Sequence, residues 1–128
     1  SVNVCDDAAY FERVTAAILD EAAGLGVDPA VIARARGMLE MADGYVGRGY
    51  ALSRPEELDL LARVARVGGF LLDPVYTGKA FFGMVDRLRT DPRSLGERLV
   101  FVHTGGVFGL LTAPVAGELA AVLGGARS

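Results

Sequence analysis

Three reactive residue types are almost missing from this 128-residue chain, which holds one cysteine, one histidine and one lysine. The thirteen basic residues are twelve arginines and Lys79. With Cys5 alone, an internal disulfide framework and a cysteine-based zinc site are excluded. A lone thiol fits a reducing compartment, and the cytoplasm is expected. With His103 alone, a histidine-rich metal site is excluded, and no metal is expected. Chemistry that needs a lysine amine must use Lys79 or a lysine of another chain. A basic run is also missing, and 13 basic residues stand against 16 acidic ones. Nucleic-acid binding needs a basic stripe, so no nucleic-acid partner is expected.

What is present is apolar surface. The apolar share is 52%, with a mean hydropathy of +0.35; soluble domains run at ~45–50%. Disordered chains are apolar-poor and charge-rich, so this one is expected to fold. Its length suits one domain or a part of one. The longest stretch without Asp, Glu, Lys or Arg is Leu99–Gly117, 19 residues. That approaches a membrane span. It is broken by His103, Thr104, Thr112, Pro114 and four glycines, whereas hydrocarbon demands unbroken apolar helix, so no membrane partner is expected. The start, Ser1-Val2-Asn3-Val4, has neither a charged region nor a long apolar one, which predicts no signal peptide.

Val2–Cys5 reads as a short strand, followed by Asp6-Asp7 as a helix N-cap. Phe11, Val14 and Ile18 then mark a helix from about Ala8 to Ala23. Asp28-Pro29 opens a second helix, to about Met41, with proline in the first turn. Asp43 to Leu52 is a glycine-rich loop. Ser53 as N-cap, Pro55 near the first position and Glu56 three residues on predict a helix to about Val67. It has a polar stripe (Glu56, Asp59, Arg63, Arg66) and two apolar ones, so it is covered on more than one side. Phe70–Leu72 reads as a buried strand and Asp73–Gly78 as a turn. A helix to about Arg89 follows, with Phe81, Met84, Val85 and Leu88 on one face. Leu99–Val102 reads as another buried strand, His103–Gly106 as a turn, and a helix begins near Val107. The tail after Pro114 reads as a last helix, ending at Gly124-Gly125. Strands that are apolar on both faces predict an α/β fold with a parallel sheet in a three-layer αβα arrangement. Three short strands are too few for a complete sheet, so they are expected to be part of a larger one.

Ligands bind outside the carboxyl ends of such strands. That singles out Asp6-Asp7, Pro74–Gly78 and His103–Gly106, with the loop carrying Tyr45 and Tyr50 able to fold over the same edge. These loops offer hydroxyls, phenols, one imidazole and close-approach glycines. No Ser-His-Asp arrangement or Walker-type phosphate loop is present. Gly44-x-x-Gly47-x-Gly49 is not the dinucleotide fingerprint, because it does not join a strand directly to a helix.

Two of these loops carry specific motifs. Leu72-Asp73-Pro74-Val75-Tyr76-Thr77-Gly78-Lys79-Ala80 and Phe101-Val102-His103-Thr104-Gly105-Gly106-Val107-Phe108-Gly109-Leu110 resemble the C-terminal signatures of the D-cysteine desulfhydrase and 1-aminocyclopropane-1-carboxylate deaminase family. Val4-Cys5-Asp6-Asp7 and Tyr45-Val46-Gly47-Arg48-Gly49-Tyr50 fit as well. The resemblance covers roughly residues 1–112, in the right order. It implies the tryptophan synthase β-like fold (fold type II), pyridoxal 5'-phosphate as cofactor, and a small amino-acid substrate. Family members are more than twice this length. Residues 1–128 therefore match the C-terminal portion of the cofactor-binding domain, with the N-terminal portion of the same enzyme as partner and a homodimer when intact. The family's Schiff-base lysine and phosphate loop lie upstream, and Lys79 matches a different lysine. The chain alone is expected to be inactive.

The resemblance makes Tyr76 a substrate-facing phenol and Tyr50 a second active-site tyrosine; both are otherwise ordinary packed aromatics. It puts Thr77 at the cofactor's pyridine nitrogen, where the deaminases carry Glu and desulfhydrase-like members Ser or Thr. Without the resemblance, Thr77 is a plain helix N-cap. Thr104 stands where the deaminases tend to have Leu and the desulfhydrases Thr. Gly105 and Gly106 let backbone approach the ring, or merely make a tight turn. His103 reads as a bonded structural residue and Cys5 as a core thiol. Both threonines favour D-cysteine desulfhydrase, a β-elimination giving pyruvate, ammonia and hydrogen sulfide. The alternatives are 1-aminocyclopropane-1-carboxylate deaminase and a non-catalytic interaction module.

Overall fold

A computed structural model describes every residue except Asp6, Thr112 and residues 125–128, and omits the side chains of Ala113, Pro114, Val115 and Leu123. Helices dominate: α1 (Ala8–Gly24), α2 (Pro29–Met38), α3 (Pro55–Arg63), α4 (Thr77–Thr90) and α5 (Ala113–Gly124). A π-helical turn, Val64–Gly68, prolongs α3, and a 3-10 turn, Val107–Leu111, precedes α5. α1 packs on α2, and α3 packs on both α4 and α5.

The helix starts follow local chemistry. Asp7 caps α1 by accepting from the Tyr10 N–H, and Asp28 caps α2 by accepting from the Ala30 N–H. Asp6, the other half of the expected cap, lies outside the described residues. At α3 the expected cap shifts by one residue. Arg54 is the N-cap, and the Glu57 carboxylate accepts from its backbone N–H at 2.8 Å. Ser53 instead turns inward and donates to the Pro74 carbonyl. α2 ends at Met38, short of the expected Met41, because the chain must be extended by Ala42 to pair with the N-terminus.

The expected sheet is where the structure departs most. Among the described residues the only β pairing is a parallel bridge between Val2 and Ala42. The Ala42 N–H donates to the Ser1 carbonyl and the Asn3 N–H to the Ala42 carbonyl, both at 2.8 Å. Phe70–Leu72 and Leu99–Val102 adopt no regular secondary structure and form no ladder. A parallel strand needs a neighbour brought in by a crossover connection. Within these residues, neither segment has one. The side chains of these segments nonetheless pack together. Leu72 packs with Leu61 and Val64, and Phe81 stacks edge-on against both Phe70 and Phe101. That cluster is the core, and it lies directly beneath the loops predicted to carry the site. No helix among the described residues is long and apolar enough to cross a membrane.

Candidate functional site

The turn before α4 is built around Asp73, which is fully buried. One carboxylate oxygen accepts from the Val75 and Tyr76 N–H groups at 2.9 and 2.6 Å. The other accepts from the Thr77 N–H at 2.8 Å and from the Thr77 hydroxyl. The α4 N-terminus would otherwise leave these donors unpaired. A buried carboxylate in turn needs several donors. Thr77 is therefore not the N-cap expected from the sequence. It is the first residue of α4, with Tyr76 at the cap position. Its hydroxyl also accepts from the Asp73 N–H at 3.1 Å. Thr77 thus gives its proton to Asp73 and keeps one lone pair.

The glycines let this turn close. A Cβ on Gly78 would stand 2.5 Å from the Asp73 carbonyl oxygen. A Cβ on Gly106 would stand 2.7 Å from the Asp73 carboxylate carbon, and the residue has φ +90°. The 103–106 turn is thereby pressed onto the 73–77 turn. Gly105 also has positive φ but faces open space. His103 fastens the same turn. Its Nδ1 accepts from the Gly105 N–H at 3.1 Å, so its Nε2 donates to the Leu71 carbonyl at 2.8 Å. This is the structural role expected of it.

A second set of groups fixes the glycine-rich loop. Lys79 is 1% exposed, and its ammonium donates to the carbonyls of Val46 and Gly49 at 2.6 and 2.7 Å. Burial lowers its pKa; the nearby Glu57 carboxylate works against that shift. The loop brings the Tyr50 hydroxyl to 2.6 Å from the Tyr76 hydroxyl, with the rings edge to face. That hydrogen bond pushes the Tyr76 phenol above its ordinary pKa. Both rings remain largely exposed. Cys5 is half-buried and unpaired beside this group, not the core thiol expected.

Tyr76, Thr77 and Thr104 line one cleft of about 560 Å³, walled by Val4, Ala42 and Val102. Tyr50 joins through Tyr76, and Gly105 and Gly106 follow Thr104 directly in the chain. Of the six residues singled out from the sequence, three line the cleft, Tyr50 is bonded to one of them, Gly106 packs on Asp73, and Gly105 faces open space. Asp73, Glu57 and the loop-holding role of Lys79 were missed. The Asp-Pro pair at 73–74 is a turn-initiating signal that points to Asp73. Nothing local marks Lys79, whose partners are about thirty residues away.

No protein-family model matches the chain. Over 109 residues, 84% of its length, it is 38% identical to the "Bifunctional D-cysteine desulfhydrase/1-aminocyclopropane-1-carboxylate deaminase, mitochondrial" of Arabidopsis thaliana, and covers 25% of that protein. It is 44% identical over 73 residues to a "Putative 1-aminocyclopropane-1-carboxylate deaminase" of Thermotoga maritima, covering 22% of it. A protein of the same name in Pyrococcus horikoshii is 48% identical over 54 residues, 16% of its length. The chain belongs to the D-cysteine desulfhydrase and 1-aminocyclopropane-1-carboxylate deaminase family and spans a quarter or less of the length of these relatives.

Proposed function

We propose that this chain is the C-terminal portion of a pyridoxal-phosphate-dependent lyase whose substrate is D-cysteine, completed by the N-terminal portion of the same enzyme. The observation that carries this reading is the hydrogen-bonded Tyr50–Tyr76 pair beside Thr77 and Thr104 on one apolar cleft. Thr77 and Thr104 would meet the cofactor ring, and Gly105 and Gly106 would let backbone pass close to it. When bound, the cofactor supplies the sink for the electron pair left at the substrate's α-carbon. The upstream portion would bring the Schiff-base lysine. Lys79 cannot serve without abandoning two carbonyls and its burial.

The chain's own residues do the following. Tyr76 holds a proton near substrate, kept on the phenol by its hydrogen bond with Tyr50. Thr77 would present an uncharged oxygen to the ring nitrogen, with Asp73 fixing its direction. A hydroxyl stabilises a protonated ring less than a carboxylate would, because it carries no countercharge. That weaker sink suffices when the β-substituent is a good leaving group such as thiolate. The same position in a ring-opening deaminase calls for Glu. Apolar walls such as Val4 and Val102 suit a small thiol substrate. The partners in this reading are the upstream portion and, in the intact enzyme, a second copy. An unpaired half-buried thiol fits the reducing cytoplasm.

The test is the intact enzyme carrying this segment, assayed for sulfide from D-cysteine and ammonia from 1-aminocyclopropane-1-carboxylate. Sulfide release should dominate, and Tyr76→Phe should lower it by about 10²-fold or more. Thr77→Glu with Thr104→Leu should move the ratio toward the cyclopropane substrate. An unchanged ratio would remove the substrate assignment. No turnover of either substrate would favour a non-catalytic role.

A further inference from the structure

The glycine-rich loop has conformations that do not hold themselves. Gly47 and Gly49 have φ of +71° and +131°, and Ala51 has φ +57°. A non-glycine residue in that region is strained and persists only when its surroundings fix it. Few groups could do so. Local backbone bonds in the loop are the long Gly49-to-Val46 and Leu52-to-Gly49 contacts at 3.4 and 3.2 Å. The short bonds come from outside. Lys79 reaches up from the first turn of α4 to the Val46 and Gly49 carbonyls. Glu57 lies against Gly47, where a Cβ would stand 3.0 Å from its carboxylate. Arg54 contacts the same carboxylate at 3.1 Å and extends to the Gly44 carbonyl.

Gly49 immediately precedes Tyr50, and Lys79 lies three residues beyond Tyr76 on the same turn of backbone. One ammonium therefore ties the element bearing one phenol to the loop bearing the other. We infer that Lys79 is a positioning residue that sets the Tyr50–Tyr76 contact, by clamping the Val46 and Gly49 carbonyls to the start of α4. This deepens the reading of those tyrosines as the substrate-facing pair and rests on it for its catalytic meaning. A buried ammonium is costly unless its donors are met and a countercharge is near. Glu57 is that countercharge. An apolar side chain of equal length would fill the space without holding either carbonyl.

The experiment is a titration of the tyrosines of the full chain by 13C NMR, without substrate or cofactor. Tyr50, Asp73 and Cys5 are the titratable groups that face Tyr76, and Tyr45, whose hydroxyl donates to Asp86, reports whether the start of the loop stays on α4. In Lys79→Met the Tyr76 midpoint should fall to the value found in Tyr50→Phe. Combining both substitutions should add nothing. Lys79→Gln, which keeps two N–H donors, should retain part of the native midpoint. A folded Lys79→Met chain, with Tyr45 unmoved and Tyr76 at its native midpoint, overturns the clamp. The unaltered chain provides a second measurement should Lys79→Met fail to fold. Its lone lysine gives one side-chain ammonium signal, expected to be protected from exchange with water. Solvent-like exchange there overturns the inference equally. Failure of the titration would leave the proposed lyase reading intact, whereas failure of the activity assay would leave the clamp intact.

Discussion

Residues 53–81 and residues 99–111 are both rich in Leu, Val and Phe, yet the chain encloses much of the first and leaves much of the second in solvent. In the first, Leu58, Leu61, Ala62, Leu72, Thr77 and Lys79 are buried. In the second, Val100 is 89% exposed, Val102 72% and Phe108 83%. Hydrophobicity does not separate them. What differs is where the backbone's polar groups go. In the first region helices satisfy their own backbone, and Asp73 takes up the N–H groups at the α4 start. The Leu99–Val102 backbone meets no such partner among the described residues. Burying it unpaired would cost more than its side chains gain. Phe101 alone reaches the core, through Phe81.

That contrast can be broken by substitution. Asp73→Ala should have the largest effect, because three backbone donors and the Thr77 hydroxyl lose their acceptor. At 1–3 kcal/mol for each buried group left unpaired, a loss of about 4 kcal/mol is expected in denaturant unfolding. A loss under about 1 kcal/mol would mean the turn is held by something else. Gly106→Ala comes next, at about 2 kcal/mol, since its methyl meets the Asp73 carboxylate and its φ is positive. Gly105→Ala has the positive φ alone, and about 1 kcal/mol is expected. Equal costs at the two glycines would show that conformation, not the Asp73 contact, sets the Gly106 value. Val100→Ser should change stability by about 0.5 kcal/mol or less. A core-sized loss there would show that the segment is buried in solution.

The helices were legible because their signals are local. Caps, prolines and 3.6-residue periodicity lie within a few residues of each start, where the error was a one-residue shift such as Ser53 for Arg54; the end of α2, set by a distant pairing, came three residues early. Tyr76, Thr77 and Thr104, singled out on separate loops, come onto one cleft because Gly106 lets the 103–106 turn press onto Asp73. The strands read from the sequence form no sheet among the described residues, where one isolated bridge is the sole β pairing. Phe70–Leu72 and Leu99–Val102 have strand composition, but composition does not supply a neighbour. Ala42 showed the converse. It was read as lying just past a helix end, yet it makes the one parallel bridge. Lys79 was legible as the only amine but not as a clamp, because its two acceptors are loop carbonyls brought near by the fold.

The Val2–Ala42 bridge is intermediate between the two regions, since it is an extended pairing held partly by side chains. The Asn3 amide donates to the Asp43 carboxylate at 2.8 Å, and Asn3 is buried whereas Asp43 is exposed. That hydrogen bond, with one from the Gly44 backbone, lowers the Asp43 pKa below the ordinary carboxylate range. A lowered folded pKa contributes stability that is complete above the unfolded value. It is lost as pH falls through the folded value, so the bridge should loosen only in strong acid. Solvent screening at the exposed carboxylate keeps the effect small. A carboxyl 13C titration should show the Asp43 midpoint rising toward the ordinary value in Asn3→Ala. Identical midpoints in the two proteins would show that Asn3 does not hold Asp43. The two backbone bonds and the bond from the Ser1 ammonium to the Glu40 carbonyl would then carry the pairing without Asp43.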